Sequence, residues 1–245
     1  MRALSPRFHA ALVVATLVGC GPAVPPPVTV QVGVHRVSFA VPDGFVHYDH
    51  GREQRLERTE GDLVITDLGP VTTDGYRRVI DEARGLSRAG QPDDAATLLR
   101  DLRLWTVFSD DETTREVLQT VDRIANSRSE TEVETAFDSL EGLVGGLPPP
   151  VLRELAYRAL DDLDHDDRRD IEREDRLHLG GRDALQITTW QRLTHDLRRR
   201  HIFVLDRGNL LVIRTDMGRD EVLGPAFEEL RRSFSFADDA TVTGG

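Results

Sequence analysis

The sequence predicts an α+β protein, in which an antiparallel β-sheet packed by a C-terminal helix is interrupted by an all-α insertion of about five helices. Three observations support this prediction. Apolar residues alternate with a period of two over residues 28–71, recur at spacings of three and four over residues 73–165, and return to a period of two near Ile171. A period of two is typical of a half-buried strand, and spacings of three and four are typical of an amphipathic helix.

The chain begins with the layout of a secretory signal peptide. Arg2 and Arg7 make the start positive, residues 10–18 form an apolar run, and small residues precede Cys20. The ending Leu17-Val18-Gly19-Cys20 resembles the lipobox of bacterial lipoproteins, in which the chain is cut before the cysteine and the thiol is acylated. We therefore expect residues 1–19 to be a lipoprotein signal peptide and Cys20 to be the lipidated first residue of the mature protein.

Cys20 is the only cysteine in the sequence. An exported chain can use disulfides, so one unpaired thiol directly after an export signal needs an explanation, and lipidation supplies it. The alternative is an ordinary secretory signal followed by a stray cysteine. Gly21, which follows the cysteine, resembles the pattern that directs lipoproteins of diderm bacteria to the outer membrane. We therefore expect acyl chains on Cys20 to hold the protein at the periplasmic face of the outer membrane.

Residues 20–27 form a proline-rich tether, and the first part of the α/β core follows over residues 28–72. Proline favours extended polyproline II, so at ~3.1 Å per residue the tether reaches only roughly 20 Å. Pro42-Asp43-Gly44 marks a turn, since proline presets φ and glycine supplies a positive φ. The alternation predicts five strands, over residues 28–34, 35–41, 45–49, 53–58 and 63–68.

Residues 73–165 form the predicted helical insertion. Capping signals agree with helices there, because Pro92-Asp93 lies where a helix should start, and Gly90 and Gly145-Gly146 lie where one should stop. The apolar residues fall into five sets at helical spacing, which begin at Tyr76, Ala95, Val117, Val133 and Leu152.

Residues 166–237 form the second part of the α/β core, and residues 238–245 are predicted to be a disordered tail. The last amphipathic helix carries Leu223, Phe227 and Leu230. Because the strands on either side of the helices share one pattern, the core is expected to close without residues 73–165. Strands are predicted over residues 176–179, 184–192, 197–206 and 210–215, with turns at Gly180-Gly181 and Arg207-Gly208-Asn209.

The two β-rich parts share a layout with a known family. Its features are a strand into Phe39-Ala40-Val41-Pro42-Asp43-Gly44-Phe45, a Gly180-Gly181-Arg182-Asp183-Ala184 turn, a hairpin, and a helix that ends in Ser233-Phe234-Ser235-Phe236. This layout resembles the PsbP-like and DcrB-like α/β proteins over about residues 35–70 and 170–237. Members include envelope lipoproteins and photosystem accessory subunits, so the resemblance implies a small non-enzymatic module. The helical insertion departs from the compact family pattern.

Charge and composition exclude several partners and chemistries. The chain carries 31 basic and 43 acidic residues and a formal net charge of -12, which opposes binding to nucleic acid and to anionic lipid headgroups. Every basic residue is arginine, so Schiff-base chemistry, a P-loop lysine and a lysine general base are excluded. We expect no nucleic-acid partner.

Residues 161–170 hold the densest set of possible metal ligands. Asp162, Asp164 and Asp166 have the spacing of the first ligands of a calcium loop. The rest of that template fails, because an aspartate replaces its glycine and Arg173 replaces its bidentate glutamate. A cation-binding module is therefore an alternative, and a solvated acidic linker without a bound metal is the interpretation that we favour.

Scattered histidines and acids make an envelope hydrolase the second alternative. Residues three apart in a strand point to opposite faces, so His47 and His50 cannot both ligate one metal unless the segment bends. Ser87 lacks the preceding strand and the glycine spacing of a nucleophile elbow. No catalytic residue and no cofactor are therefore assigned. The other residues considered as catalytic or metal-binding candidates are Asp49, His178, His195 and His201.

The first two predicted helices have the spacing of a tetratricopeptide-type hairpin, with small residues such as Ala83 and Ala95 where the helices touch. One copy does not make an array, so a plain helical hairpin is favoured over a peptide-binding groove. These patterns lead to one hypothesis. The chain is expected to be a lipid-anchored, non-enzymatic envelope protein that attaches to the membrane through Cys20 and binds an unidentified envelope protein.

Overall fold

The computed structural model describes residues 26–102, 111–127, 129–163, 169–191, 198–216 and 219–237. Within these residues, five strands are followed by five helices, four strands, one helix and a last strand, as the α+β prediction requires, and every strand pair is antiparallel. None of the helices described is long and apolar enough to cross a membrane. The predicted signal peptide, Cys20, most of the tether and the tail over residues 238–245 lie outside the described residues.

The elements follow the predicted order. The first strands are β1 (Val28–Val32), β2 (His35–Phe39), β3 (Val46–Asp49), β4 (Glu53–Arg58) and β5 (Gly61–Pro70). The helices of the insertion are α1 (Thr73–Arg88), α2 (Pro92–Arg100), α3 (Asp111–Asn126), α4 (Glu130–Gly145) and α5 (Leu152–Leu163). The last elements are β6 (Arg169–Leu179), β7 (Arg182–Gln191), β8 (Arg198–Asp206), β9 (Asn209–Asp216), α6 (Asp220–Ser233) and β10 (Ser235–Phe236).

Strand β6 is the largest departure from the sequence-based expectation. It begins at Arg169, well before the predicted start at residue 176. Its first half is charged at most positions and includes the sequence Glu172-Arg173-Glu174-Asp175-Arg176. Because these residues show no apolar alternation, periodicity could not identify them as a strand.

Two antiparallel sheets form the β-rich body. The large sheet has seven strands in the order β3-β4-β5-β9-β8-β7-β6, and the small sheet has the order β1-β2-β10. Strands β3 and β6 therefore lie at the two edges of the large sheet.

The large sheet is apolar on both faces. Along β8 and β9, Ile202 and Ile213 point to one face, the front, where β1, β2, β10 and α6 cover them. The intervening Phe203 and Val212 point to the back face, where α5 covers them with Leu155, Ala156, Ala159 and Leu160. The pleat of the strands thus divides one apolar run between two separate cores.

Helices α1–α4 form a third core of their own, and we call residues 73–145 the helical unit. The core contains Tyr76, Ile80, Phe137 and Leu140, all of which are buried. Each helix packs on the next, and α4 returns to α1. The Thr73 hydroxyl donates a hydrogen bond to the Val144 carbonyl at 3.1 Å, so the unit begins and ends at the same place.

The helical unit meets the sheet through a close backbone contact. Thr72 caps α1 by accepting a hydrogen bond from the Gly75 amide at 3.0 Å. A Cβ atom at Gly75 would lie 2.5 Å from the Gly208 carbonyl oxygen in the β8–β9 turn. Only glycine at this position lets α1 approach the turn so closely.

The predicted insertion over residues 73–165 therefore contains two kinds of helix. The helical unit has its own core, whereas α5 covers the back face of the sheet. The expectation that the core closes without any of these residues needs revision, because removal of α5 would expose Phe203 and Val212 to water.

We expect replacement of residues 73–147 by a short Gly/Ser linker to leave a cooperatively unfolding domain, since the two ends are adjacent and both sheet faces stay covered. The matched variant replaces residues 73–165 and so also removes α5. It should lose the cooperative transition in thermal unfolding followed by circular dichroism. Loss of cooperativity in both variants would contradict the separation of the cores.

Candidate functional site

The histidines considered from the sequence lie in different parts of the fold. His47 lies on edge strand β3, His178 lies near the end of β6, and His201 is buried in β8, where it stacks on Phe203. The exposed His178 Nδ1 lies 3.0 Å from the Oδ1 of the exposed Asp183. His195 lies outside the described residues. The structure does not bring the imidazoles of the three described residues, His47, His178 and His201, together.

His47 belongs to a hydrogen-bond network that attaches β3 to the small sheet. Its Nε2 donates to the Oε1 of the fully buried Gln54 at 2.7 Å. The Gln54 amide donates to the Asp49 carboxylate at 2.7 Å and to the Gln31 carbonyl at 3.1 Å. Hydrogen bonds from the Gly51 amide and then from Gln54 lower the pKa of Asp49. The network therefore fixes the edge of the sheet. The backbone amide of His50 donates to the Glu53 carbonyl at 2.9 Å.

The acidic segment over residues 161–170 is only partly described. Asp161 and Asp162 are exposed at the C-terminal end of α5, and residues 164–168 lie outside the described residues. Among the described residues, no group of three or more His, Cys, Asp or Glu side chains is arranged to hold a metal ion. The expectation of a linker without tight metal binding stays a prediction.

A buried polar cluster that sequence reasoning missed lies where β2, β5, β8 and β9 meet. We call it the His35 centre, after its fully buried imidazole. His35 Nδ1 donates to Asp206 Oδ2 at 3.0 Å, and Nε2 lies 3.9 Å from Asp67 Oδ1. The Asn209 amide donates to both Asp67 oxygens at 3.1 Å, and the Arg182 Nε donates to Asp206 at 2.9 Å. With Arg182, which lies in β7, the cluster thus joins five strands.

Asp67 also fixes the β1–β2 hairpin. Its carboxylate accepts hydrogen bonds from the backbone amides of Val34 at 3.2 Å and Gly69 at 2.8 Å. Gly33 has a φ of 57°, and a Cβ atom there would collide with this carboxylate. The hairpin can therefore approach Asp67 only with glycine at this position.

The electrostatics of the His35 centre favour an ionised Asp206. Burial alone would raise its pKa, but hydrogen bonds from His35 and Arg182 outweigh that penalty, and the pKa falls below its usual value. The Asp206 side chain is only 6 % exposed, and that of Arg182 is 37 % exposed. An anion at this depth is tolerated because two donors solvate it in place of water.

No motif marks the His35 centre in the sequence, because its members are far apart along the chain. One weak signal is Asp67, a charged residue at the end of an apolar strand, and Asp206 is a second at the equivalent place in β8. The imidazole has no exposed surface, so this arrangement connects strands and cannot meet a large substrate directly.

The described surface also carries a groove between α3 and α4, with a volume of about 720 Å³. We call it the α3–α4 groove. Most of its surface is apolar, and the hydroxyl, amide and charged groups of its lining residues can donate and accept hydrogen bonds. Leu118, which precedes Gln119 on α3, is 47 % exposed. The residues that line the α3–α4 groove are Gln119, Asp122, Arg123, Asn126, Ser127, Thr131, Glu132, Thr135 and Ala136.

The small residues at the tetratricopeptide-type spacing in α1 and α2 lie inside the helical unit and not in a groove. Ala83 and Ala95 are fully buried and pack in the core of the helical unit. The small residues therefore let two helices approach each other, as the plain hairpin interpretation requires. The groove lies instead on the other pair of helices.

No protein-family model matches the sequence, and no curated protein matches it. Among solved structures, the chain is similar to the solution structure of cyanobacterial PsbP (CyanoP) from Synechocystis sp. PCC 6803. The two share 10% sequence identity with a TM-score of 0.42, over 90% of this chain and 98% of that chain. CyanoP carries the PsbP name of the family that the sequence resembles. At this level of similarity, membership of that family stays a prediction.

We expect Asp206→Asn to lower the free energy of unfolding by about 3 kcal/mol at pH 7, because it removes the charge of a buried carboxylate that accepts hydrogen bonds from His35 and Arg182. The folded-state pKa of Asp206 is lowered, so its contribution is present above the unfolded value of about 3.9 and is lost as the pH falls through the folded value. The difference between wild type and variant in urea unfolding should therefore shrink below about pH 4.

Asp183→Asn is the matched control, because it also removes a carboxylate paired with a histidine at 3.0 Å, but one that is 91% exposed. We expect little change in its stability at any pH. Equal destabilisation by the two substitutions would show that burial does not increase the contribution of Asp206 to the free energy of unfolding.

Proposed function

We propose that this chain is a lipid-anchored protein of the bacterial envelope that acts as a non-enzymatic accessory module. In this proposal, acyl chains on Cys20 attach it to the membrane, and the helical unit binds a second envelope protein. The observation that carries the proposal is that β1, the first described strand, starts about one strand length from the end of β5, where the helical unit leaves the sheet. The apolar run that ends in Leu17-Val18-Gly19-Cys20 supports the anchor.

The tether leads into the start of β1, where Val28 lies opposite Phe39. The other end of β1 leads into the β1–β2 hairpin, which contacts Asp67 near the end of β5. The helical unit departs directly after β5, at Thr73. The two attachment points are thus separated by the length of β1, at about 3.3 Å per residue. This arrangement supports an anchored body that offers the helical unit to a partner.

The α3–α4 groove is the surface that we propose for the partner. Its lining includes two carboxylates, Asp122 and Glu132, and one guanidinium, Arg123. The Asp122 carboxylate is held by Arg100 at 2.9 Å, and Glu132 accepts a hydrogen bond from Ser127 at 2.6 Å. With Arg100 counted, two carboxylates and two guanidiniums balance at the groove. The preference that we propose for a basic segment of an envelope protein therefore rests on the net charge of -12 of the whole chain.

We expect Cys20→Ser to release the protein from detergent-requiring membrane fractions, because the substitution removes the acylated thiol. Mass spectrometry of the wild-type mature protein should show an N-terminal cysteine with added acyl mass. Retention of the variant in the membrane, together with an unmodified wild-type mass, would contradict the anchor.

We expect a photo-crosslinking amino acid at Gln119, inside the groove, to give one defined product with an envelope protein in intact cells. Adding Thr135→Arg should abolish the product, because a cation in the groove repels a basic segment and occupies its space. The same probe at Asp81, on the exposed face of α1, is the control and should give none. Equal products at the two positions, or a product that Thr135→Arg leaves unchanged, would exclude the groove.

A further inference from the structure

Arg207, in the turn between β8 and β9, has a φ of 50°, in the left-handed region. Among the described residues other than glycine, it alone has a positive φ. Gly208, the second residue of the turn, has a φ of 76°. Two positive φ values in succession form a tight hairpin turn in which Asn, Asp and Gly are preferred. Arginine is unfavourable there, so the contacts around the turn must maintain its conformation.

The carbonyl groups of this strained turn accept hydrogen bonds from the start of the helical unit. The Gly208 carbonyl accepts from the Val71 amide at 2.9 Å and from the Thr72 hydroxyl at 3.3 Å. The Arg207 carbonyl accepts from the guanidinium of Arg78, on α1. Two neighbouring carbonyls thus attach the start of α1 to the sheet.

The His35 centre holds the same turn from the side of the sheet. Asp206 and Asn209 pair with each other on the two sides of the turn. Asp206 accepts a hydrogen bond from His35, and Asn209 donates to Asp67. The conformation of the turn therefore depends both on the buried cluster and on α1.

The apolar packing of the helical unit is separate from that of the sheet. Among the described residues, no buried apolar side chain belongs both to the core of the helical unit and to a core of the sheet. A movement of the helical unit as one body would therefore leave the packing within each core intact.

The two connections of the helical unit lie side by side, as a hinge requires. The hydrogen bond between the Thr73 hydroxyl and the Val144 carbonyl joins them. Before α1, Gly69 has a φ of 102° and lies at the register shift of β5. Gly145 ends α4, and Gly146 follows it. Glycine adopts a wide range of φ and ψ values, so both connections can absorb a rotation.

We propose that the β8–β9 turn is a conformational latch for the helical unit. In the closed state, which is the state of this structure, the turn holds Arg207 in the left-handed region and its carbonyls bind the start of α1. In the open state these hydrogen bonds are released, the turn relaxes, and the helical unit rotates about its two connections as a folded body. The latch therefore sets the direction of the α3–α4 groove relative to the sheet, whichever partner the groove binds.

Hydrogen exchange of single amides, followed by nuclear magnetic resonance, tests the latch on the mature chain carrying Cys20→Ser. The Val71 amide is bonded to the turn in the closed state, so its exchange reports the opening. It should exchange at a lower free energy of opening than the amides of Ile80 and Phe203, which lie in two different cores. Equal free energies for the three amides would overturn the proposal, because the latch would then open only when the protein unfolds.

Two neighbouring arginines on α1 provide a matched pair of variants. Arg78→Ala removes a donor to the turn and should speed exchange of the Val71 amide about fivefold, the effect of one hydrogen bond. Arg77→Ala is the control, because Arg77 is also exposed and its ion pair is with Asp74. It should leave the exchange unchanged. Equal effects of the two substitutions would contradict a latch at the turn.

A second pair of variants tests the strain at Arg207. Arg207→Asn and Arg207→Val both remove the guanidinium, but asparagine tolerates a positive φ and the β-branched valine does not. The Val71 amide should therefore exchange about fivefold or more faster in the valine variant than in the asparagine variant. The same rate in both variants would show that the conformation of the turn does not control the opening.

Distances between spin labels test whether the whole helical unit moves. The Cys20→Ser background has no cysteine, so cysteines introduced at Arg115, on α3, and at Thr59, between β4 and β5, take the labels specifically. Combining Arg78→Ala with Arg207→Val should add a second distance between these labels. Labels at Arg115 and Asp81, both within the helical unit, are the control and should keep one narrow distribution.

Two results of the distance measurement would overturn the proposal. An unchanged distance between helical unit and sheet in the combined variant would show that release of the turn does not move the unit. Broadening of both label pairs would show that the helical unit unfolds when it is released, and so does not move as a folded body.

Discussion

The large sheet buries apolar side chains on both faces, and the rest of the structure follows from the need to cover both. Along β8 and β9 the pleat sends Ile202 and Ile213 to the front and Phe203 and Val212 to the back. The front is covered by the small sheet with α6, and the back is covered by α5. Burial of apolar surface is the dominant stabilising contribution, so neither layer is dispensable. The helical unit has its own core and belongs to neither of these two covering layers.

The His35 centre determines how the layers are positioned. Through Asp67 and Asp206 it connects the β1–β2 hairpin of the front layer to two strands of the large sheet. Asn209, in the turn between β8 and β9, lies on the same network and next to Gly208, which contacts α1. The front layer, the sheet and the start of the helical unit therefore meet around one buried polar cluster. Such a cluster requires a defined geometry, because each unmatched group would be costly to bury.

Periodicity and turn chemistry were enough to predict most elements, whereas tertiary partners were not predictable. Local patterns predicted the strands around Pro42-Asp43-Gly44 and the five helices, and these elements are present in the folded chain. Helix α5 has the same apolar spacing as its neighbours, and spacing shows that a face is buried without showing against what. The start of β6 was missed because its residues are charged, and His35 was missed because Asp67 and Asp206 are distant in sequence. Cys20 and residues 164–168 lie outside the described residues, so their predicted roles stay predictions.

Native-state hydrogen exchange of backbone amides, read by mass spectrometry, tests most directly the claim that α5 belongs to the sheet and not to the other helices. Segments that open together share one free energy of opening. The account predicts that α5 exchanges with β7 and β8, whose Leu185 and Phe203 it covers, and that α1–α4 exchange in a separate step. Exchange of α5 together with α1–α4, at a free energy different from that of β7 and β8, would contradict it.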